Sequence, residues 1–414
     1  MQTVSYKKNL FTIFLLSFCG SIIYGLPYFR KYYYDAYVST YELTNLEMGL
    51  LSTAYGVLGL FSYILGGFLA DKFPAKNLLI GSLIATGLGG FLHLYFTSLN
   101  ALLAIYGLWG ITSLLTFWPS LMKVIRTLAH QSEQARAYGI FEGGRGIVGA
   151  AHAGIAVSIF AFYESQNLAS KGIENIIIFY SSAPIVCGLA LCFLLKNTGQ
   201  SEESEKINFK DFLNLLKMPA IWLVSIITFC TYTYHMSFYY FTPYATNVIG
   251  LGAVFAALLT ILAQYLRPIS ATGGGFLADK FGKGQLMLLG FLLMAFGTVL
   301  MMLSASFGGF IQMAALCTAC AFIYIAMYSN YGIYYSMLSE GKVPLQYAGL
   351  AIGIVSTLGY LPEVFAPALA GHLLDTYQGF EGYSYFFAFL IASALVGALF
   401  SVVWIKKYGK KESA

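Results

Sequence analysis

The octapeptide Gly-Gly-Phe-Leu-Ala-Asp-Lys-Phe occurs twice in this chain, as Gly66–Phe73 and as Gly274–Phe281. The copies are 208 residues apart, and half of the 414-residue chain is 207 residues. An identical motif at this spacing indicates two tandem repeats, each about half of the chain. Because each copy ends the second apolar segment of its half, the two repeats are parallel.

The composition excludes a soluble globular enzyme. Hydrophobic residues make up 58% of the chain and charged residues 10%, whereas about a quarter of an ordinary soluble protein is charged. A membrane-spanning helix needs about 20 apolar residues, and the chain can be divided into twelve such segments. These are 9–34, 45–70, 77–97, 101–127, 136–163, 173–196, 216–246, 251–278, 284–306, 309–338, 345–373 and 382–405.

The pattern predicts an all-α membrane protein with twelve transmembrane helices in two pseudo-symmetric six-helix bundles. We expect the N-terminal bundle over residues 1–196 and the C-terminal bundle over 216–414. The polar residues between them, 197–215, are predicted to form a cytoplasmic linker. No catalytic, metal-binding or nucleic-acid-binding motif is present in the sequence, and no cofactor is expected.

The distribution of basic residues predicts the orientation in the membrane. Placing both termini and the linker on one side collects 18 of the 23 Lys and Arg residues there, whereas Lys171 lies in a loop on the other side. By the positive-inside rule the basic side is cytoplasmic. We therefore expect a multi-pass protein of the cell (inner) membrane with both termini in the cytoplasm.

The octapeptide is similar to the cytoplasmic motif of the major facilitator superfamily, Gly-x-Leu-Ala-Asp-Arg/Lys-x-Gly-Arg/Lys. Pro74 stands where the motif usually has Gly, whereas the second copy has Gly282 and Lys283. The resemblance covers the whole chain and implies the major facilitator fold and secondary transport. It also implies that the motif holds one conformation of the transporter, a gating role assigned to Asp71, Lys72, Asp279 and Lys280.

Ionisable residues at membrane depth are costly and therefore indicate function. Glu142, Arg145, Gly149 and His152 follow 3-4-3 spacing on the fifth segment, so they lie on one helix face. Arg145 is about 13 Å from the cytoplasmic edge, near the membrane midplane. We expect Arg145 to bind substrate and Glu142 to carry a proton or balance charge. The alternative is a structural ion pair between the two.

The second half contains three further candidates. Arg267 lies about 18 Å from Asp279 along the eighth segment and is a candidate anion-binding residue, with pairing between helices as the alternative. Glu363 lies between two prolines in the eleventh segment and is a candidate proton carrier. His235 in the seventh segment could bind substrate or a proton, or be a packing residue.

Arg30 is the candidate with the strongest family resemblance. Counting along the first segment places it about 33 Å from Lys8, near the far interface. However, Arg30 and Lys31 resemble the Arg-Lys pair of the organophosphate:phosphate antiporter branch, in which the arginine holds phosphate. In that comparison Arg145 stands where the branch has a binding histidine, and His235 where it has a second arginine.

Tyrosines on the tenth segment are candidate walls of a binding site. Tyr324, Tyr328, Tyr331 and Tyr335 follow 4-3-4 spacing on one helix face, with phenol groups that combine an apolar surface and a hydrogen-bonding hydroxyl. We expect the first three to contact substrate. Ordinary core packing is the alternative, because 17% of the chain is aromatic.

Together these features predict a monomeric secondary transporter that moves a small organic anion, phosphorylated or carboxylated, across the cytoplasmic membrane by alternating access. Protons or phosphate are the candidate coupling ions, and the lipid bilayer is the only large partner expected. One alternative is a proton-coupled transporter of an amino acid, a peptide or another zwitterion. The other is a transporter-like sensor.

Overall fold

The computed structural model describes residues 6–128, 134–195, 209–344 and 347–409, and within these ranges the chain is helical without β-strands. Ten helical runs are long and apolar enough to cross a membrane. The two remaining predicted segments, 45–70 and 216–246, are helical as well. The predicted all-α membrane architecture is confirmed.

The chain divides into two compact units, Met1–Leu43 with Leu50–Ser204, and Thr44–Gly49 with Glu205–Ala414. Spans 1 to 6 belong to the first half of the chain. They are span 1 (Leu10–Ile22, Gly25–Tyr28, the 3-10 turn Phe29–Lys31 and Tyr34–Tyr41), span 2 (Asn45–Lys72), span 3 (Ala75–Tyr95), span 4 (Leu99–Gly110, the π-helical Ile111–Phe117 and Trp118–Thr127), span 5 (Gln134–Glu164) and span 6 (Ala169–Leu194).

The second half begins with a short helix, Phe209–Leu216, and continues with spans 7 to 12. They are span 7 (Pro219–Ser237, the 3-10 turn Phe238–Tyr240 and Phe241–Asn247), span 8 (Ala253–Phe281), span 9 (Lys283–Ser304), span 10 (Gly309–Ile333, the 3-10 turn Tyr334–Ser336 and Met337–Glu340), span 11 (Ala348–Gly359 and Pro362–Thr376) and span 12 (Phe380–Tyr408).

The predicted segments differ from these spans in two places. The continuous run of span 1 ends at Lys31, three residues before the predicted end, and a short separate helix, Tyr34–Tyr41, follows it. Within the predicted linker, residues 209–215 are helical, and residues 197–208 lie outside the described part of the chain. The other predicted ends agree with the observed ones to within four residues.

Spans 1, 4, 7, 10 and 11 are interrupted. A break in a spanning helix frees backbone groups that must be satisfied inside the protein, because lipid offers no hydrogen bonds. In span 4 the hydroxyls of the π-helical segment supply several of them. Ser113 Oγ donates to Trp109 O at 2.6 Å, and Thr116 Oγ1 donates to Thr112 O at 3.1 Å.

Small residues allow neighbouring spans to pack closely. In the second unit Gly274 of span 8 faces Ser329 of span 10, and a Cβ added at Gly274 would lie 2.8 Å from Ser329 Cα. One turn further along span 10, a Cβ at Gly332 would lie 2.6 Å from the Ala271 carbonyl oxygen. Close backbone approach at small residues is typical of helix packing in membranes.

We predict that Gly274→Ala lowers the melting temperature of the detergent-solubilised protein. The new methyl group has to displace the backbone at Ser329, which costs about 1–3 kcal/mol. Gly275→Ala is the matched control, because a Cβ there meets no described atom within 4 Å. Equal melting temperatures for the two variants would contradict this packing.

Candidate functional site

Arg30 is buried inside the first unit. It lies in the 3-10 turn Phe29–Lys31, which ends the continuous helical run Leu10–Lys31 and is followed by the separate helix Tyr34–Tyr41. Its side chain is held from two sides. Arg30 Nη2 donates to Ser52 Oγ of span 2 at 2.8 Å, and the guanidinium lies 4.7 Å from the ring centroid of Tyr106 in span 4.

Lys31 brings a second buried positive charge next to Arg30. Arg30 is 7% exposed and Lys31 is 4% exposed. The Lys31 ammonium lies 4.7 Å from the ring centroid of Tyr28 and 5.3 Å from that of Tyr32. Cations over aromatic faces are stabilised electrostatically when they are removed from water.

Arg145 and Glu142 form an ion pair within span 5. Arg145 Nη1 contacts both Glu142 carboxylate oxygens, at 2.8 and 3.0 Å, and Arg145 Nε donates to the Gly20 carbonyl oxygen at 3.0 Å. The guanidinium also lies 4.8 Å from the Trp118 ring. This geometry favours the structural alternative for the pair, since Glu142 balances the charge of Arg145 and span 1 fixes its direction.

His152 extends the Arg145 contacts along the same face of span 5. Its Nε2 lies 3.2 Å from Ser21 Oγ, and its Nδ1 lies 2.9 Å from the Tyr180 hydroxyl of span 6. Arg145 and His152 therefore reach neighbouring residues of span 1, Gly20 and Ser21. The predicted polar face of span 5 packs on span 1.

An aromatic row connects the surroundings of Arg145 and Lys31. Tyr24 is 6.4 Å from Trp118 and 6.2 Å from Tyr28, and Tyr28 is 5.3 Å from Tyr55, measured between ring centroids. Sequence analysis missed this row. The available signal was the four-residue spacing of Tyr24 and Tyr28, which places both on one helix face.

The second unit brings most of its predicted site residues together. The Arg267 guanidinium lies 5.7 Å from the Tyr328 ring centroid. The His235 ring lies 6.0 Å from Tyr328 and 5.2 Å from Tyr331. Tyr324 lies next to this cluster, where its ring contacts Phe238 and Phe241 at 5.8 and 6.2 Å, and Phe238 lies 5.5 Å from His235.

Glu363 joins this cluster through a tyrosine that sequence analysis did not select. The Tyr232 hydroxyl donates to Glu363 Oε2 at 2.8 Å, and the Tyr232 ring lies 5.5 Å from His235. Glu363 is 6% exposed and lies in the first turn of the helix Pro362–Thr376, just after the interruption of span 11. The positive end of that helix favours a negative charge on the carboxyl group.

The repeated motif is only partly visible. The side chains of Asp71, Lys72 and Asp279 lie outside the described part of the structure. Lys280 is exposed, with its ammonium 5.2 Å from the Phe281 ring centroid. In the second copy Lys283 makes the polar contacts, because its Nζ donates to Ser336 O at 2.8 Å and lies 3.7 Å from Glu340 Oε1.

The model of the Major Facilitator Superfamily matches residues 10–367. The chain belongs to this superfamily. It is 28% identical to Inner membrane protein YihN of Escherichia coli, over 98% of this chain and 97% of that protein. It is 23% identical to the chloroplastic ascorbate transporter of Arabidopsis thaliana, over 87% of this chain and 69% of that protein.

A crystal structure of a bacterial homologue of the human lysosomal transporter Spinster has the same fold. The TM-score is 0.74 at 16% identity, covering 98% of this chain and 97% of that chain. The protein is therefore a transporter of the major facilitator type and not an enzyme. Its apolar helices make it a multi-pass membrane protein, and its relative YihN is named an inner membrane protein.

We predict that charge balance, and not the Glu142 carboxylate itself, stabilises span 5. Glu142→Gln leaves the Arg145 charge uncompensated next to Trp118 and is expected to lower the melting temperature. Adding Arg145→Gln to it should recover most of the loss, because the double variant has no charge to balance. Thermal unfolding of the two single variants and the double variant measures this coupling. Additive losses would contradict it.

Proposed function

We propose that this transporter moves a small organic anion, phosphorylated or carboxylated, by alternating access, and that Arg30 binds the negative charge. The supporting observation is the burial of Arg30 in an interrupted span, between Ser52 and Tyr106. Cations buried in membrane proteins default to a functional role. A guanidinium presents paired donors that match the oxygens of a carboxylate or phosphate.

Lys31 and the tyrosines around it support an anion with an organic body. The adjacent ammonium adds a second positive charge, and Tyr28 gives an aromatic surface beside it. The relative named as an ascorbate transporter also favours a small hydroxylated acid as substrate. Arg145 has a structural role in this proposal, because Glu142 already balances its charge.

In the second unit, we propose Arg267, His235, Tyr328 and Tyr331 as the substrate-binding residues. Tyr328 connects them, because its ring contacts both the Arg267 guanidinium and the His235 ring, and the His235 ring also contacts Tyr331. The imidazole and phenol groups can donate or accept hydrogen bonds, which suits the hydroxyl groups of a polar substrate. Tyr324 has no part in this proposal, because it packs among phenylalanines in the core.

Glu363 is the proposed coupling residue. An ionised carboxylate that loses access to water is costly to bury, and protonation removes that cost. The Tyr232 hydroxyl stabilises the ionised form by donating to it. Glu363 would therefore take up or release a proton when its access to water changes during the transport cycle, which makes the proton the favoured coupling ion over phosphate.

Two further proposals concern the topology and the repeated motif. The excess of basic residues on one side supports cytoplasmic termini and a cytoplasmic linker. The repeated motif supports a gating role for Asp71, Lys72, Asp279 and Lys280, as in other members of the superfamily.

The substrate proposal predicts that anions stabilise the purified protein and that Arg30→Ala removes the effect. A ligand that binds only the folded protein raises its melting temperature by mass action. A panel of ascorbate, carboxylates, phosphate esters and amino acids is measured against both proteins. Loss of one charged hydrogen bond of about 1.5–3 kcal/mol should weaken anion binding about 10- to 150-fold.

Arg30→Lys is the matched variant, because it retains the charge and removes the paired donors. It should bind anions more weakly than the wild type and more tightly than Arg30→Ala. Stabilisation by amino acids alone, unchanged in both variants, would contradict the anion proposal and favour transport of a zwitterion.

The coupling proposal predicts that Glu363→Gln separates exchange from proton-driven uptake. In proteoliposomes the variant should retain counterflow of the stabilising anion, because the neutral amide mimics the protonated carboxyl group. It should no longer accumulate that anion when a pH gradient is imposed. Glu381→Gln, at an exposed position of span 12, serves as the control. Accumulation by Glu363→Gln at the wild-type level would exclude Glu363 as the coupling residue.

A further inference from the structure

His93 of span 3 is a fully buried histidine to which the proposed transport cycle assigns no role. Both of its ring nitrogens are engaged by tyrosines of the helix Tyr34–Tyr41. His93 Nε2 lies 2.7 Å from the Tyr37 hydroxyl, and His93 Nδ1 lies 3.0 Å from the Tyr41 hydroxyl. The two tyrosines are four residues apart and so lie on one face of that helix.

A neutral imidazole fits these two contacts without a leftover polar group. It has one N–H donor and one acceptor nitrogen, so one tyrosine donates to the ring and the other accepts from it. The ring also stacks on Trp109 of span 4, with centroids 5.8 Å apart and an angle of 9° between the planes. Trp109 is fixed in turn, because its Nε1 donates to the Thr86 carbonyl oxygen at 3.0 Å.

The same cluster contacts the side chain that holds Arg30. Tyr106 is a ring neighbour of Trp109, with centroids 4.7 Å apart, and its hydroxyl lies 3.5 Å from the Tyr37 hydroxyl. The Arg30 guanidinium lies over the same Tyr106 ring, 4.7 Å from its centroid. A continuous set of side chains therefore runs from His93 through Tyr37 and Tyr106 to Arg30.

The interruption of span 1 makes this set of contacts important. Residues 32 and 33 separate the 3-10 turn that carries Arg30 from the helix Tyr34–Tyr41. An unbroken helix would transmit the position of one segment to the next through its hydrogen-bond ladder, but a broken one does not. The position of the helix Tyr34–Tyr41 therefore depends on its contacts with other spans, and His93 bonds to it twice.

We propose that His93 is a positioning residue for Arg30. By binding Tyr37 and Tyr41, His93 anchors the helix Tyr34–Tyr41 to span 3. Through Tyr37 and Tyr106 it fixes the direction of the Arg30 guanidinium. The importance of this for transport rests on the proposed function, in which Arg30 binds the anion. The position of Arg30 itself can be measured without knowing the substrate.

The test uses phenylglyoxal, a small reagent that modifies arginine side chains, with the modified sites quantified by peptide mass spectrometry. In His93→Phe, Arg30 should react about fivefold faster than in the wild type, which corresponds to about 1 kcal/mol of lost positioning. Arg145 in the same molecule is the internal control, because its contacts with Glu142 and Gly20 do not involve His93.

Two further variants distinguish positioning from general destabilisation. His93→Gln retains a donor and an acceptor and should restore slow modification of Arg30. Tyr37→Phe should behave like His93→Phe, since it removes the hydroxyl shared by His93 and Tyr106, and it remains informative if His93→Phe does not fold. An unchanged Arg30 rate in His93→Phe and Tyr37→Phe, or equal acceleration at Arg30 and Arg145, would overturn the proposal.

A protection experiment with added anions distinguishes failure of this inference from failure of the proposed function. Ascorbate and inorganic phosphate are added as protecting anions during modification. Faster Arg30 modification in His93→Phe without any protection in the wild type would support positioning by His93 and count against Arg30 as an anion site. Protection in the wild type with no effect of His93→Phe would support the anion site and overturn the role of His93.

Discussion

The interruption of span 1 is the constraint on which the first unit depends. A spanning helix must satisfy its backbone polar groups within the protein, because lipid cannot. Span 1 lacks part of its backbone hydrogen-bond ladder around the turn Phe29–Lys31. The side chains of Arg30 and Lys31 in this turn are buried in the interior. Two buried positive charges and a broken helix are each costly. Their presence in the same turn supports the proposed anion site.

The second unit shows the same association of interruptions with ionisable side chains. Glu363 follows the break in span 11, and His235 precedes the 3-10 turn of span 7 by three residues. In both units the neighbouring tyrosines hold these groups, Tyr106 at Arg30 and Tyr232 at Glu363. A phenol group suits this position because its ring packs in the apolar interior and its hydroxyl bonds to the polar group.

The sequence predicts where the spans lie, but it does not predict where they are interrupted. Apolar length predicts twelve segments, because a spanning helix needs about 20 apolar residues, and the repeated octapeptide divides them into two halves. Pro27 and Pro362 lie at breaks and were a usable signal, because proline lacks a backbone donor. Yet Pro184 and Pro268 lie inside continuous helices. Whether a proline interrupts a span depends on its packing partners, which a single sequence does not contain.

The sequence also does not predict which side chains contact one another across different spans. Spacing alone predicts that Glu142 and Arg145 can pair, as they do, but it does not reveal that the Gly20 carbonyl fixes the guanidinium. Arg30 depends on contacts from spans 2 and 4, Ser52 and Tyr106, that are distant in sequence.

The most direct test of the account is an experimental structure of the protein with the anion that stabilises it most strongly. The account predicts that the carboxylate or phosphate group of this ligand lies within hydrogen-bond distance of the Arg30 guanidinium. A bound anion whose charged group contacts Arg145 instead, with Arg30 still held only by protein side chains, would contradict it.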